Sequence, residues 1–153
     1  MQGITVEIDG RDTELPPWHT LLHDFVTRVL RDTGVEEGEI SVVLCSDPFI
    51  RELNGRYRGI DEATDVLSFS QSEGYDMGEA EHPVLGDIVV SLEAVRRQAR
   101  EYGVPFGEEL KRVVVHGILH VQGMDHEGNN EEEEPMLKKQ EELLRMYSGV
   151  NLF

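Results

Sequence analysis

The chain has a single cysteine, Cys45, so no intrachain disulfide can form and packing must hold the fold. Cys45 follows Val42-Val43-Leu44, which marks it as a small buried hydrophobe rather than a nucleophile. Lysine is nearly as scarce: Lys111, Lys138 and Lys139 are the only ones, and the other cations are arginines. The 14 Lys+Arg face 31 Asp+Glu, for a net charge of -17. That balance excludes a broad basic surface for nucleic acid; any such contact must use a local basic pocket against a repulsive mean field. Long apolar runs are also missing. Val113 to Val121 is broken by two histidines and is too short to span a bilayer, and the first residues lack a signal-peptide block. Aromatic residues are few at 7%, yet Gly and Pro are at ordinary levels and no repeat is visible, so low-complexity classes are excluded. The expectation is a cytoplasmic protein without a membrane partner.

The 153 residues suit one domain spanning positions 1–153. Strand and helix signals alternate. Period-two patterning marks strands at 4–8 and 66–70, a β-branched run marks one at 40–44, and Ile88-Val89-Val90 after Gly86-Asp87 marks a fourth. Helices are expected at about 18–33, from Asp47 as N-cap to about Asn54, from the Ser91 cap to about Tyr102, over 105–122, and over 132–147. Ser72 to Pro83 reads as a surface loop holding an exposed His82, and Glu131–Glu134 as a solvated helix start.

Three of the six histidines fall in one short segment: His116, His120 and His126. The first two are four apart on an expected helix, which sets their side chains about 5–6 Å apart on one face. Gly123 can end that helix and turn His126 back towards them. Three imidazoles can bind one zinc at about 2.0–2.1 Å per bond and leave the fourth position open, as catalytic zinc sites do. A core histidine bonded to a carbonyl explains one such residue, but not three in this arrangement. His19 and His23 share the four-residue spacing but have no third partner nearby. The spacing is that of long zinc-protease motifs, whose glutamate base would fall at position 117; the residue is Gly117, so that peptidase mechanism is not available.

His116-Gly-Ile-Leu-His-Val-Gln-Gly-Met-Asp-His126 resembles the signature H-G-x-L-H-L-x-G-Y-D-H of the YbeY family of bacterial rRNA-maturation endoribonucleases. Leu53-Asn54, Tyr57-Arg58-Gly59 and Thr64-Asp65-Val66-Leu67-Ser68-Phe69 are similar to the family's "LN…YR…TDVLSF" block. Leu85-Gly86-Asp87-Ile88 matches its "LGDI", and Met136 to Leu144 its closing helix. Three positions depart from the pattern: Val121 for Leu, Met124 for Tyr, and Gln140 where Glu is common.

The resemblance implies a zinc-dependent endoribonuclease specific for single strands, with one Zn(2+) per chain. It also implies a role in 16S rRNA 3′-end maturation and ribosome quality control, with the 16S rRNA precursor as substrate and the small ribosomal subunit and its assembly factors as partners. The implied fold is α/β, with a central apolar helix over 105–122 packed on a four-stranded mixed sheet. Arg58, from the "YR" pair, is the candidate catalytic cation, because its planar guanidinium suits a phosphate. Arg56 and Arg58 are the candidate substrate-binding residues. Together with Arg51, Arg96, Arg97, Arg100, Lys111 and Arg112 they make a local basic groove conceivable. Two rivals stay open. One is a zinc hydrolase of another substrate, an atypical peptidase included, with a base such as Asp65. The other is a non-catalytic assembly factor whose structural zinc takes a fourth ligand from Asp125, Cys45 or His82.

Overall fold

The computed structural model describes residues 3–70, 84–123 and 130–152. Among them, four strands and five helices follow in the order β1 (Ile4–Arg11), α1 (His19–Asp32), β2 (Gly38–Cys45), α2 (Asp47–Arg58), β3 (Val66–Ser70), β4 (Val84–Ser91), α3 (Leu92–Tyr102), α4 (Phe106–Val121) and α5 (Asn130–Met146). The strands form one mixed sheet in the order β1-β2-β4-β3. β1 pairs with β2 and β2 with β4 in parallel, while β3 runs antiparallel to β4 at the edge. The α/β architecture with a four-stranded mixed sheet that the resemblance implied is therefore present. The loop anticipated over 72–83, with His82, lies outside the described residues.

The sheet has two unlike faces because its strands alternate. Ile40, Val42 and Leu44 of β2 and Ile88 and Val90 of β4 point into the larger core, against α1, α4 and α5. α1 contributes Leu22, Phe25, Val26, Val29 and Leu30 at helical spacing, while Leu21 stays at the surface. Val43 and Cys45 of β2, Leu67 and Phe69 of β3 and Val89 of β4 face the other way, under Phe49, Ile50 and Leu53 of α2. The resulting second core is small.

α4 is apolar nearly all round because it is central: it packs on β3, β4, α1, α3 and α5. Gly117 lets it approach the sheet closely. A Cβ there would stand 3.0 Å from Ile88 Cγ2 and 3.4 Å from Val66 Cγ2. Lys111, buried on the same helix, donates from Nζ to the carbonyls of Tyr147 and Val150 at 2.9 and 3.0 Å, and so fastens the segment after α5.

Two local expectations need correction. α2 runs four residues past Asn54, to Arg58, and Gly59 then ends it in the left-handed conformation (φ 72°). Asp47 does not cap α2; the N-cap is Ser46, with no side-chain cap bond. The Asp47 carboxylate instead accepts from Ser91 Oγ and Arg97 Nη1, both at 2.7 Å, and so ties α2 to α3. Burial alone would raise its pKa, but the hydrogen bonds from Arg97 and Ser91 and the Arg97 charge outweigh burial and lower it.

Candidate active site

A cleft of about 350 Å³ opens beside edge strand β3, where α4 and the end of α2 converge. α4 contributes Arg112, Val113, His116 and His120 to its lining, and α2 contributes Asn54 and Arg58. Ile60, Thr64, Asp65 and the first half of β3 complete it. The connection from α2 to β3 is held at two points. Buried Asn54 donates from Nδ2 to the Glu62 carbonyl at 2.9 Å, and Ser91 N donates to the Asp65 carbonyl at 2.9 Å. Asp65 is the carboxylate lining the cleft among the described residues.

His116 and His120 sit on one face of α4 with ring centroids 4.8 Å apart. Gly123 follows the helix with φ 92°, the turn its position suggests, but His126 lies outside the described residues, as do Met124 and Asp125. His116 Nδ1 lies 2.8 Å from Oε1 of buried Gln140 on α5. Gln140 interrupts an apolar stripe of Met136, Leu143 and Tyr147, all buried. A neutral His116 that donates Nδ1–H to this oxygen carries its lone pair on Nε2, the form that can ligate a metal. The donor set thus fits zinc: two imidazoles one helical turn apart, one with its tautomer fixed from outside.

Gly117 points at the sheet, not into the cleft. A glutamate there would drive its carboxylate into Ile88 and Val66, which is the steric reason why the peptidase base cannot occupy this position. Cys45 is likewise unsuited as a fourth ligand. It belongs to the second core, on the other face of the sheet, and burial with the charges of Asp12, Asp47 and Glu93 pushes its pKa up to about 12.

The arginines distribute unequally. Arg58 lies at the cleft, where Nη2 donates to the Ser68 carbonyl at 3.2 Å and the guanidinium stands 6.0 Å from the Phe69 ring centroid. Arg56 does not line the cleft and pairs with Glu52, one helical turn back, at 2.7 Å. Arg51 pairs with Asp61 at 2.8 Å and Arg97 with Asp47. Arg112 does line the cleft, but it is tied to the buried Glu109 carboxylate. That bond, with the charges of Glu109 and Asp65, raises its pKa despite burial. With Lys111 buried, the eight cations do not make a continuous basic groove.

Sequence reasoning did not assign Gln140 or Asn54 to the site, and it named Arg112 only as one of the cations of a broader basic groove. A polar residue at a core position of α5 was the available signal for Gln140. Asn54 and Arg112 owe their places to how α2 and α4 pack.

The sequence model described as "Endoribonuclease YbeY" matches residues 5–148. Over 134 residues the chain is 46% identical to the Endoribonuclease YbeY of Treponema denticola, covering 86% of this chain and 85% of that protein. The Pelotomaculum thermopropionicum protein of the same name is 46% identical over 126 residues, covering 81% of this chain and 82% of that protein. The solution structure of TM1509 from Thermotoga maritima superposes with a TM-score of 0.64 at 30% identity, covering 95% of this chain and 90% of that one. The chain therefore belongs to the YbeY family, whose members are endoribonucleases acting on RNA phosphodiester bonds.

Proposed function

We propose that the protein is a zinc-dependent, single-strand-specific endoribonuclease that acts in the cytoplasm on the 16S rRNA precursor, in 3′-end maturation and ribosome quality control. Its partners in this reading are the small ribosomal subunit and its assembly factors. The observation that carries the reading is the convergence of Arg58 with His116 and His120 on one cleft. His126 is the third proposed ligand of the single zinc, and Arg56 a peripheral phosphate contact.

When bound, zinc supplies a Lewis acid that polarises a phosphoryl oxygen and acidifies water. The remaining work falls to the chain's own groups. Gln140 holds His116 in one tautomer and orientation, so the site does not reorganise as charge develops. Arg58, held in place by Ser68, offers a cation to the phosphoryl oxygens as the bond breaks. Asp65, on the cleft wall, is placed to accept a proton from the attacking group.

The test compares single-stranded and duplex RNA of one sequence, each with metal-loaded and chelator-treated protein. The reading expects internal cuts in the single strand, none in the duplex, and loss of cutting on chelation with recovery on added zinc. Equal cutting with and without chelator, or preference for the duplex, would overturn it.

A further inference from the structure

The acidic chain poses a physical problem for an RNA enzyme. Counter-ion release normally supplies most of a protein's affinity for nucleic acid, and it needs several cations on phosphates. Here the net charge is -17, and Arg51, Arg56, Arg97 and Arg112 already hold carboxylates. Binding must draw on another source.

Next to Arg58, on the side away from the histidines, is a shallow depression lined by Tyr57, Arg58, Ile60 and Phe69. Tyr57 is 61% exposed and Ile60 48% exposed, so two large apolar side chains face solvent in one depression. The Tyr57 ring stands edge-to-face on Phe69, with centroids 5.4 Å apart and planes at 66°. Phe69 is itself half-buried over the second core, so it anchors Tyr57 to the sheet. A braced ring that keeps most of its surface exposed is poised for a flat, apolar partner. The depression adjoins the cleft, because Arg58 and Ile60 line both.

We propose that Tyr57, braced by Phe69, is a stacking platform for an unpaired nucleobase of the RNA strand whose phosphate lies at Arg58. The inference rests on the nuclease reading and deepens it, by naming how the single strand is held. A stacked base needs no positive charge, and every base has a π-face, so the platform tolerates sequence. It also accounts for selection of single strands: a base paired in a duplex cannot leave its stack without an energetic cost.

The test measures binding apart from cleavage. The full chain, kept in chelator so that the RNA stays intact, is titrated with a short single-stranded RNA at several salt concentrations. Tyr57→Ala should weaken binding about tenfold or more, as loss of one stacked base does, while Tyr57→Phe should bind like wild type. The plot of log affinity against log salt should keep its slope, because no phosphate contact is lost. In the wild type, one abasic nucleotide walked along the RNA should weaken binding at one position, and Tyr57→Ala should be indifferent to it there. Unchanged affinity in Tyr57→Ala, a flattened salt slope, or abasic RNA bound as tightly at every position would overturn the platform. So would a wild-type dimer that Tyr57→Ala dissociates without any change in RNA binding, since the patch would then face a second copy. If the metal-loaded protein cuts RNA and Tyr57→Ala binds normally, the platform fails and the nuclease reading stands. If the wild type neither binds nor cuts RNA, the nuclease reading fails and takes the platform with it.

Discussion

The two faces of the sheet are built differently. One is closed: α1, α4 and α5 cover it with a continuous aliphatic core, and even its buried polar groups, Lys111 and Gln140, have partners. The other is covered chiefly by α2, over a core of four fully buried residues, and its margin leaves Tyr57 and Ile60 in solvent. The histidines project from the edge of the closed face, while Arg58 comes from the open one. Preorganised ligands need a rigid support, and a helix packed on nearly all sides supplies it. A substrate strand needs accessible surface, which the thin face supplies. The cleft lies where the two meet.

The sharpest way to break this division is to remove a ligand from the closed face. His116→Ala or His120→Ala should reduce zinc affinity by more than about 100-fold, beyond what loss of an outer partner costs, and should abolish cleavage with the far-ultraviolet circular dichroism unchanged. Stoichiometric zinc at wild-type affinity, read by elemental analysis after dialysis, would place the metal elsewhere. Next in size is the group from the open face. Arg58→Ala should keep its zinc and lose about 10²–10³ in single-turnover rate, as loss of one preorganised charge does. Arg58→Lys should recover part of that, because a point charge lacks the planar fork. Wild-type cleavage by Arg58→Ala at matched zinc content would leave Arg58 a surface residue.

A third change tests whether the closed face tunes the site as well as supporting it. Gln140→Leu keeps the volume in the α5 stripe but removes the acceptor 2.8 Å from His116 Nδ1. Zinc affinity should fall about 10–100-fold, the usual effect of losing an outer-shell partner. Gln140→Glu should restore or exceed wild-type affinity, since a carboxylate accepts the same hydrogen more strongly. Equal zinc affinity in all three proteins, measured by competition with a chelating dye, would show that the tautomer needs no support from α5.

How legible each face was in the sequence follows the same division. The closed face largely announces itself: the β-branched run of β2, the α1 stripe and the aliphatic α4 stand where the sequence puts them, while β4 starts at Val84, four residues before the strand expected at 88–90. The pairing of His116 with His120 is local, fixed by one helical turn, and so was readable. Arg58 on the cleft came through family resemblance; its helical placement did not, because α2 has few apolar positions in its last turn and only Gly59 marks its end. The cation cluster was misread for a physical reason. Arg56 and Arg112 pair with carboxylates one helical turn away, which spacing could suggest, but the partners of Arg51 and Arg97 come from another loop and another helix, and burial takes Lys111 out of the surface. Gln140 reaches His116 across 24 positions, a contact that no local pattern encodes.

The smallest effect is expected in the second core, where Cys45 reports whether so thin a layer still excludes water. Burial and the surrounding carboxylates push its thiol up to about 12, above its ordinary value of 9.0. An acid held protonated by folding works in one direction. Below about pH 8 the thiol is protonated in both states and stability does not respond to it. Between about pH 9 and 12 the unfolded chain has released the proton and the folded one has not, so stability falls as pH rises. At pH 10.5 the loss from this group should be about 2 kcal/mol. Tyr147, whose pKa burial and the bond to Asp32 also raise, adds an alkaline loss of its own, so wild type alone cannot isolate the thiol. Cys45→Ala does isolate it. The variant should be somewhat less stable than wild type at pH 7, by the packing of one sulfur, and the gap should narrow at pH 10.5. Urea midpoints at the two pH values read the change directly. A gap constant with pH would mean that the folded thiol ionises freely and that the second core is wet. Ready modification of Cys45 by a thiol reagent in the native state would say the same.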